Sequence, residues 1–235
     1  MTDVWPALTS AFELITQDDG YLREIIALSL RVSLTAVVIA TLIGLPIGAM
    51  TALFRFPGRK VLVVFLNVLM GLPPVVVGLV VYLLLSRSGP LGALGLLFTP
   101  TAMVIAQFIL VLPIIAALSH QVMEEMWLEY REQLQSLGIS PLGRLAVLLW
   151  DGRFALLTAV LAGFGRATAE VGAVMIVGGN IDHVTRVMTT TIALEASKGD
   201  LSKALGLGIV LLVVSLVVNI LVYVLREVSR LRIAA

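Results

Sequence analysis

Arg166 and Glu170 stand four residues apart inside residues 154–176, a stretch otherwise built from apolar and small side chains. On a helix that spacing places both on one face, close enough to pair. Ionisable groups within a bilayer-length apolar segment are costly and normally face a protein interior or a watery cavity. Two uses are open: a self-satisfied pair holding helices in register, or charges lining a pathway or gate. Further along, residues 178–203 offer Gly178 and Gly179 with free backbone N–H groups, Asn180, Arg186, and Thr189, Thr190 and Thr191. Successive amides can form an anion-binding nest, which Arg186 would reinforce. Surface turns use the same residue types for structural ends.

Other chemistries find no residues to carry them. Without cysteine there is no disulfide and no thiolate metal site, and two histidines, His120 and His183, are too few for a histidine-based metal site. No stretch reads GxxxxGK[ST], so the chain is not expected to hydrolyse ATP. The glycine pairs of Gly163-Phe164-Gly165 and Gly206-Leu207-Gly208 lack the third glycine and βαβ context of a dinucleotide fingerprint. No Ser/His/Asp set or paired carboxylates occupy a loop long enough to form a site. We expect no catalytic residue, no metal and no cofactor held by this chain. A formal charge of +1 points away from nucleic acid.

The elements that position these residues follow from composition. Charged residues make up 13% of the 235, about half the ~25% of a soluble domain, and the mean hydropathy is +1.05. A membrane must be the solvent for most of the chain. Crossing its ~30 Å core takes about 20 apolar residues per helix, and five stretches qualify: residues 32–54, 61–85, 101–118, 154–176 and 205–225. Residues 89–100 are apolar but glycine-rich, a loop or a re-entrant piece. The expected fold is all-α and polytopic, with about five transmembrane helices. Residues 1–25 form an outer segment, 26–225 the transmembrane domain with an inner loop at 120–153, and 226–235 a cytoplasmic tail.

Basic residues orient the bundle. With the N-terminus outside, the inner side holds Arg55, Arg59, Lys60, Arg131, Arg144, Arg153, Arg226, Arg230 and Arg232. The outer side holds Arg23, Arg87, Arg186, Lys198 and Lys203, nine against five. This orientation makes the chain multi-pass with a cytoplasmic C-terminus. Eight acidic residues accompany the five outer cations, so the outer face would repel a free dianion rather than steer it. Within the spans, Pro46, Pro73, Pro74 and Pro113 each remove a backbone donor and are expected to kink their helices. Pro73 and Pro74 are candidate pathway residues. Ala36, Ala40, Gly44, Gly48 and Ala52 form a small-residue stripe for close helix approach, within one subunit or between two.

The inner loop has its own pattern. Met126, Tyr130, Leu134 and Leu137 repeat at helical spacing, opposed by Glu125, Glu129 and Glu132. Gly138 is placed to end that helix, Ser140 to cap a second, and Pro141 to open it. The reading is helix, tight turn, short helix, with Leu137, Ile139 and Leu142 near the tip. Such an apolar knob would contact another protein, or the helix would lie on lipid headgroups.

Here the chain resembles a family. Residues 132–138, EQLQSLG, followed by ISPLGRL, look like the EAA loop of permease subunits in ABC importers, Glu132 and Gly138 matching its Glu and Gly. Gln133 and Leu134 replace the usual small pair, and Trp150 and Asp151 stand where Leu-Pro is common. Residues 162–180, AGFGRATAEVGAVMIVGGN, are similar to oxyanion-importer permeases for molybdate, tungstate and sulfate, and residues 185–200, TRVMTTTIALEASKGD, resemble the tungstate type most.

The resemblance implies a type I importer permease, a homodimer in a bacterial or archaeal cytoplasmic membrane. It would pair with two copies of an ABC ATPase subunit, which hold ATP and Mg, and receive an oxyanion from an extracytoplasmic binding protein. Coupling would fall on Glu132, Ser136, Leu137, Gly138, Ile139, Ser140, Pro141 and Leu142. Pro73, Pro74, Arg166 and Glu170 become pathway or gate candidates, and Asn180, Arg186, Thr189 and Thr190 outer hand-over candidates. Tungstate is the expected substrate, with molybdate or sulfate as alternatives within the family. A secondary anion transporter or channel is the alternative from another class.

Overall fold

A computed structural model describes residues 20–234, with side chains as far as Val224. Residues 1–19 of the expected outer segment lie outside that range. The α-helices are α1 (Gly20–Leu53), α2 (Arg59–Met70), α3 (Pro74–Leu85), α4 (Pro100–Ser136), α5 (Pro141–Asp151), α6 (Arg153–Thr168), α7 (Gly172–Gly178), α8 (Met188–Ser197) and α9 (Leu201–Ala234). No strand occurs among the described residues. Hydrocarbon offers no partner to a backbone amide, so an apolar span satisfies its own groups as a helix. Helices α1, α4 and α9 are long and apolar enough to cross a bilayer, and two bent helix pairs raise the count to five if each is one span.

Two expected spans are interrupted. Residues 61–85 divide into α2 and α3, bent by 103°. Pro73 and Pro74 supply no amide hydrogens and push the preceding residue out of the helical region. Residues 154–176 divide into α6 and α7. The Thr168 hydroxyl turns back on the Phe164 carbonyl, and the Glu170 carboxylate takes the Ala173 N–H. Side chains that bond their own backbone in this way compete with helix continuation. Pro46 and Pro113, by contrast, sit inside unbroken helices. Residues 89–100 are a loop with one 3-10 turn, Gly92–Leu94. Residues 226–234 of the expected tail continue α9.

The bundle is organised around α4, whose buried residues run mainly from Ala102 to Met123 and include all of residues 113–117. Helix α1 lies along it, and the small-residue stripe faces it. A Cβ on Gly48 would come 2.5 Å from the Ala116 carbonyl oxygen and 2.6 Å from Ser119 Cβ. The stripe therefore serves packing within one subunit. On another side of α4, Gly163 of α6 lets Val111 and Ile115 approach. Helices α3 and α7 pack through Gly78, where an added Cβ would be 2.8 Å from Ala173 Cα.

Candidate functional site

The inner loop builds a projecting turn. Helix α4 runs unbroken from Pro100 to Ser136, about 27 Å past the expected end of its span at residue 118 at 1.5 Å per residue. Gly138 ends it with φ +66°, the left-handed conformation that glycine adopts without a Cβ penalty. The Gly138 N–H bonds the Gln135 carbonyl at 3.0 Å and the Ile139 N–H bonds that of Leu134 at 3.3 Å. This is the Schellman pattern, and Ile139 packs in one apolar cluster with Leu134. Ser140 Oγ then accepts the Gly143 N–H at 3.2 Å, with Pro141 as the first residue of α5.

Arg144 Nε donates to the Ile139 carbonyl at 2.7 Å, closing the turn from the other side. Ser136 Oγ donates to the Gln133 carbonyl. Leu134, Leu148 and Leu156 fill the base against Ala49 and Leu53 of α1, while Leu137 and Leu142 are 73% and 74% exposed at the tip. Glu132 is exposed beside Arg131 at 3.8 Å, an ion pair of little energetic weight. Behind the turn, Arg59 of α2 joins α1 and α4 by bonds to the Thr51 carbonyl and to Glu124 at 2.7 Å.

A second assembly forms where the two interrupted spans meet. Glu170 is 3% exposed. Its Oε2 takes Arg166 Nη1 at 2.5 Å and its Oε1 takes the Ala173 N–H at 2.9 Å. Its carbonyl accepts the Thr189 hydroxyl at 2.9 Å, tying α8 to the break. Gln107 of α4 donates to the Ala167 carbonyl at 3.0 Å. An added Cβ on Gly172 would meet Val75 Cγ2 at 3.0 Å, so the turn at Pro73 and Pro74 abuts the start of α7. Breaks in adjacent helices are thus brought together. Ser33, Gln107, Thr168, Glu170 and Thr189 line part of an adjoining cavity of about 20 Å³, room for about one water molecule.

The outer candidates divide. Asn180 and Arg186 lie in the α7–α8 loop. Arg186 pairs with Asp182 at 2.9 Å and donates to the Tyr21 hydroxyl at 2.7 Å, and its second terminal nitrogen reaches the Asn180 carbonyl at 3.4 Å. Tyr21 donates in turn to Asp182 at 2.7 Å, and that hydrogen bond holds the Asp182 carboxyl below its usual range against the opposing effect of burial. His183 Nδ1 meets Glu24 at 2.9 Å, and the Glu24 hydrogen bond raises the His183 pKa. Thr189 and Thr190 are buried in the first turn of α8, where Thr190 Oγ1 accepts the Val187 N–H. Gly178 closes α7, and the Gly179 N–H donates to the Met175 carbonyl at 2.9 Å, so the helix end absorbs the donor.

Residues 44–234 match the family described as the binding-protein-dependent transport system inner membrane component. The chain belongs to that family. Among its relatives, the tungstate uptake system permease protein TupB of Peptoclostridium acidaminophilum is 41% identical over 93% of this chain and 96% of its own length. A probable anion ABC transporter permease protein of Haloferax volcanii is 42% identical over 86% and 89%. A sulfate transport system permease protein, CysW of Synechocystis, is 28% identical over 89% and 78%.

This permease is accordingly a multi-pass membrane protein and a transport subunit rather than an enzyme. Importers of this kind work with an ATPase and a binding protein as separate partners. The expected type I fold is the one observed. Sequence reading missed the Arg59–Glu124 clamp and the Tyr21–Asp182–Arg186 brace, whose members are 65 and up to 165 residues apart. It also passed over Gln107, although a lone amide in a charge-free span is a signal.

Proposed function

We propose that this permease translocates tungstate, with a homodimer forming the pathway and two ATPase subunits, carrying ATP and Mg, supplying the energy. The observation that carries this reading is the projecting turn, a rigid apolar tip on a helix continuous with the bundle core. A tip of that design transmits displacement. Five helices enclose little space alone, and a two-fold pair around a central conduit supplies it. Two relatives named as tungstate permeases, at 41% and 38% identity, support tungstate over sulfate, whose named relative stands at 28%.

In this mechanism ATP binding closes the ATPase pair and draws the two Leu137–Leu142 turns together. The motion passes up α4 and α6 to the junction of Pro73, Pro74, Arg166 and Glu170, which acts as the gate. Asn180 and Arg186 belong to the outer rim over which a binding protein hands in the anion, and Thr189 and Thr190 anchor that rim to the junction. The N-terminus lies outside and the C-terminus in the cytoplasm, as the basic residues favour.

The deciding test is ATP-dependent uptake by the full complex in liposomes, with tungstate, molybdate and sulfate in competition. Tungstate is expected to win, and uptake that is equally fast without the ATPase contradicts the mechanism. Gly138→Pro, which removes an N–H and forbids φ +66°, is expected to leave insertion intact while separating ATP hydrolysis from uptake. Normal coupling in that variant rejects the role given to the turn.

A further inference from the structure

On the coupling-turn side of the bundle an open groove runs between α1, α5 and α6. Its volume is about 470 Å³, within the roughly 300–1,000 Å³ of ligand sites. The walls are apolar, with Leu42 and Leu45 from α1, Leu149 from α5, and Leu157 and Val160 from α6, and Arg153 stands at one end. Leu42 is 70% exposed, so the groove opens onto the lipid-facing surface of α1. Arg153 is the first residue of α6, and Val160 lies seven residues further, about 10 Å along the axis. A single leaflet of a ~30 Å core is about 15 Å deep. The groove therefore covers much of one leaflet, with its cation at the water-facing end.

Arg153 is prepared for an anion. Its guanidinium carbon lies 4.7 Å from the Trp150 ring centre and 4.6 Å from that of Phe154, contacts that fix its plane. One terminal nitrogen donates to the Trp150 carbonyl. Among the described residues it has no carboxylate partner, unlike Arg59, Arg166 and Arg186. Trp150 is 71% exposed beside it, the amphipathic ring expected at a membrane–water boundary. A small soluble anion would use the guanidinium but leave the apolar walls without a role. A neutral lipid would use the walls and leave the charge unanswered.

We propose that this groove holds an anionic phospholipid of the leaflet on the coupling-turn side, its phosphate on Arg153 and one acyl chain between α1 and α6. Basic pockets at the cytoplasmic ends of membrane helices bind such headgroups. The assignment does not depend on which anion the permease transports.

The chain's three tryptophans make the site readable. With Trp5→Phe and Trp127→Phe, Trp150 becomes the sole indole of the full-length permease. The protein is reconstituted in phosphatidylcholine vesicles containing graded fractions of brominated phosphatidylglycerol or, separately, brominated phosphatidylcholine. Brominated phosphatidylglycerol is expected to quench Trp150 with an apparent affinity about fivefold higher. Arg153→Gln should erase that preference and Arg153→Lys retain most of it. Val160→Phe, which fills the deep end and leaves the charge in place, should weaken quenching by phosphatidylglycerol. Equal quenching by both lipids overturns the proposal, as does a preference that survives Arg153→Gln. Failure of both lipids to quench means that protein, such as a second copy, covers the groove. Loss of the preference on adding millimolar inorganic phosphate means a phosphate site without a lipid requirement. Either result rejects the lipid site.

Discussion

Glu170 uses its two carboxylate oxygens differently, one on Arg166 and one on the Ala173 N–H. Glu170→Gln keeps an acceptor for the amide and removes the charge. Glu170→Ala removes both. Loss of a charge-assisted bond from a buried acceptor costs about 1.5–3 kcal/mol, so Glu170→Ala is expected to lower thermal stability more than Glu170→Gln in detergent-solubilised permease. Equal melting temperatures for the two would show that the cap contributes nothing. The Arg166–Glu170 pair was legible in the sequence from its four-residue spacing, although Glu170 lies in the break just past the end of α6 rather than on the helix that spacing predicts. The outer brace was not, since Tyr21 and Asp182 are 161 residues apart and meet only through the fold. That brace also carries a pH dependence. The pKa of His183 is raised by Glu24, so its stabilising pair is fully present below the ordinary histidine value of 6.5. It is lost as pH rises through the raised value in the folded protein. The stability difference between the natural chain and Glu24→Gln should be largest in acid and shrink as pH climbs. A difference that stays constant across roughly pH 5 to 9 would remove His183 from the explanation.

At the scale of elements, the same residue type has opposite meanings in different settings. Pro73 and Pro74 together end one helix and begin another, whereas Pro46 and Pro113 are absorbed by continuous helices. One missing donor within a packed bundle is compensated by neighbouring groups, while two in succession next to Gly71 leave too little backbone bonding to carry a helix through. Sequence pattern marked all four and could not rank them. The break between α6 and α7 was harder to foresee, because it depends on side chains turning back on their own backbone rather than on a proline. Glycines divide in the same way. Gly48 lies at the α1–α4 crossing, where a Cβ would be 2.5 Å from a backbone oxygen, while at Gly165 it would meet nothing within 4 Å. Gly48→Val is expected to cost about 3 kcal/mol, the upper end of ordinary overpacking, and Gly165→Ala to leave stability nearly unchanged or improved. Comparison of melting temperatures checks this, and a benign Gly48→Val would mean that α1 and α4 are less closely held than their geometry indicates.

The whole molecule presents surfaces of two textures. Helices α1 and α9 expose large aliphatic side chains, Leu42, Leu212 and Leu216 among them, as lipid requires. The exposed face of α6 is different, with Ala155, Thr158, Ala162 and Gly165 recurring along it, Ala169 just past its end and Arg166 beside them. Small residues line a space that something must pass or closely approach, and the proposed central conduit gives that face its purpose. The absence of native cysteine allows a direct test. Single substitutions Ala162→Cys and Gly165→Cys, assembled with the ATPase in liposomes, are expected to react with a membrane-impermeant maleimide in one nucleotide state and to be shielded in the other. Leu42→Cys and Leu212→Cys should stay unreactive in both, because a thiol facing hydrocarbon is neither ionised nor reached by a water-soluble reagent. Labelling of Ala162→Cys that is absent with and without nucleotide places α6 away from the conduit. Labelling that is equal in both states leaves the face wet but removes it from the gated path. Only a nucleotide-dependent change on α6, with α1 and α9 silent, fits a pathway opened by the motion of the projecting turn.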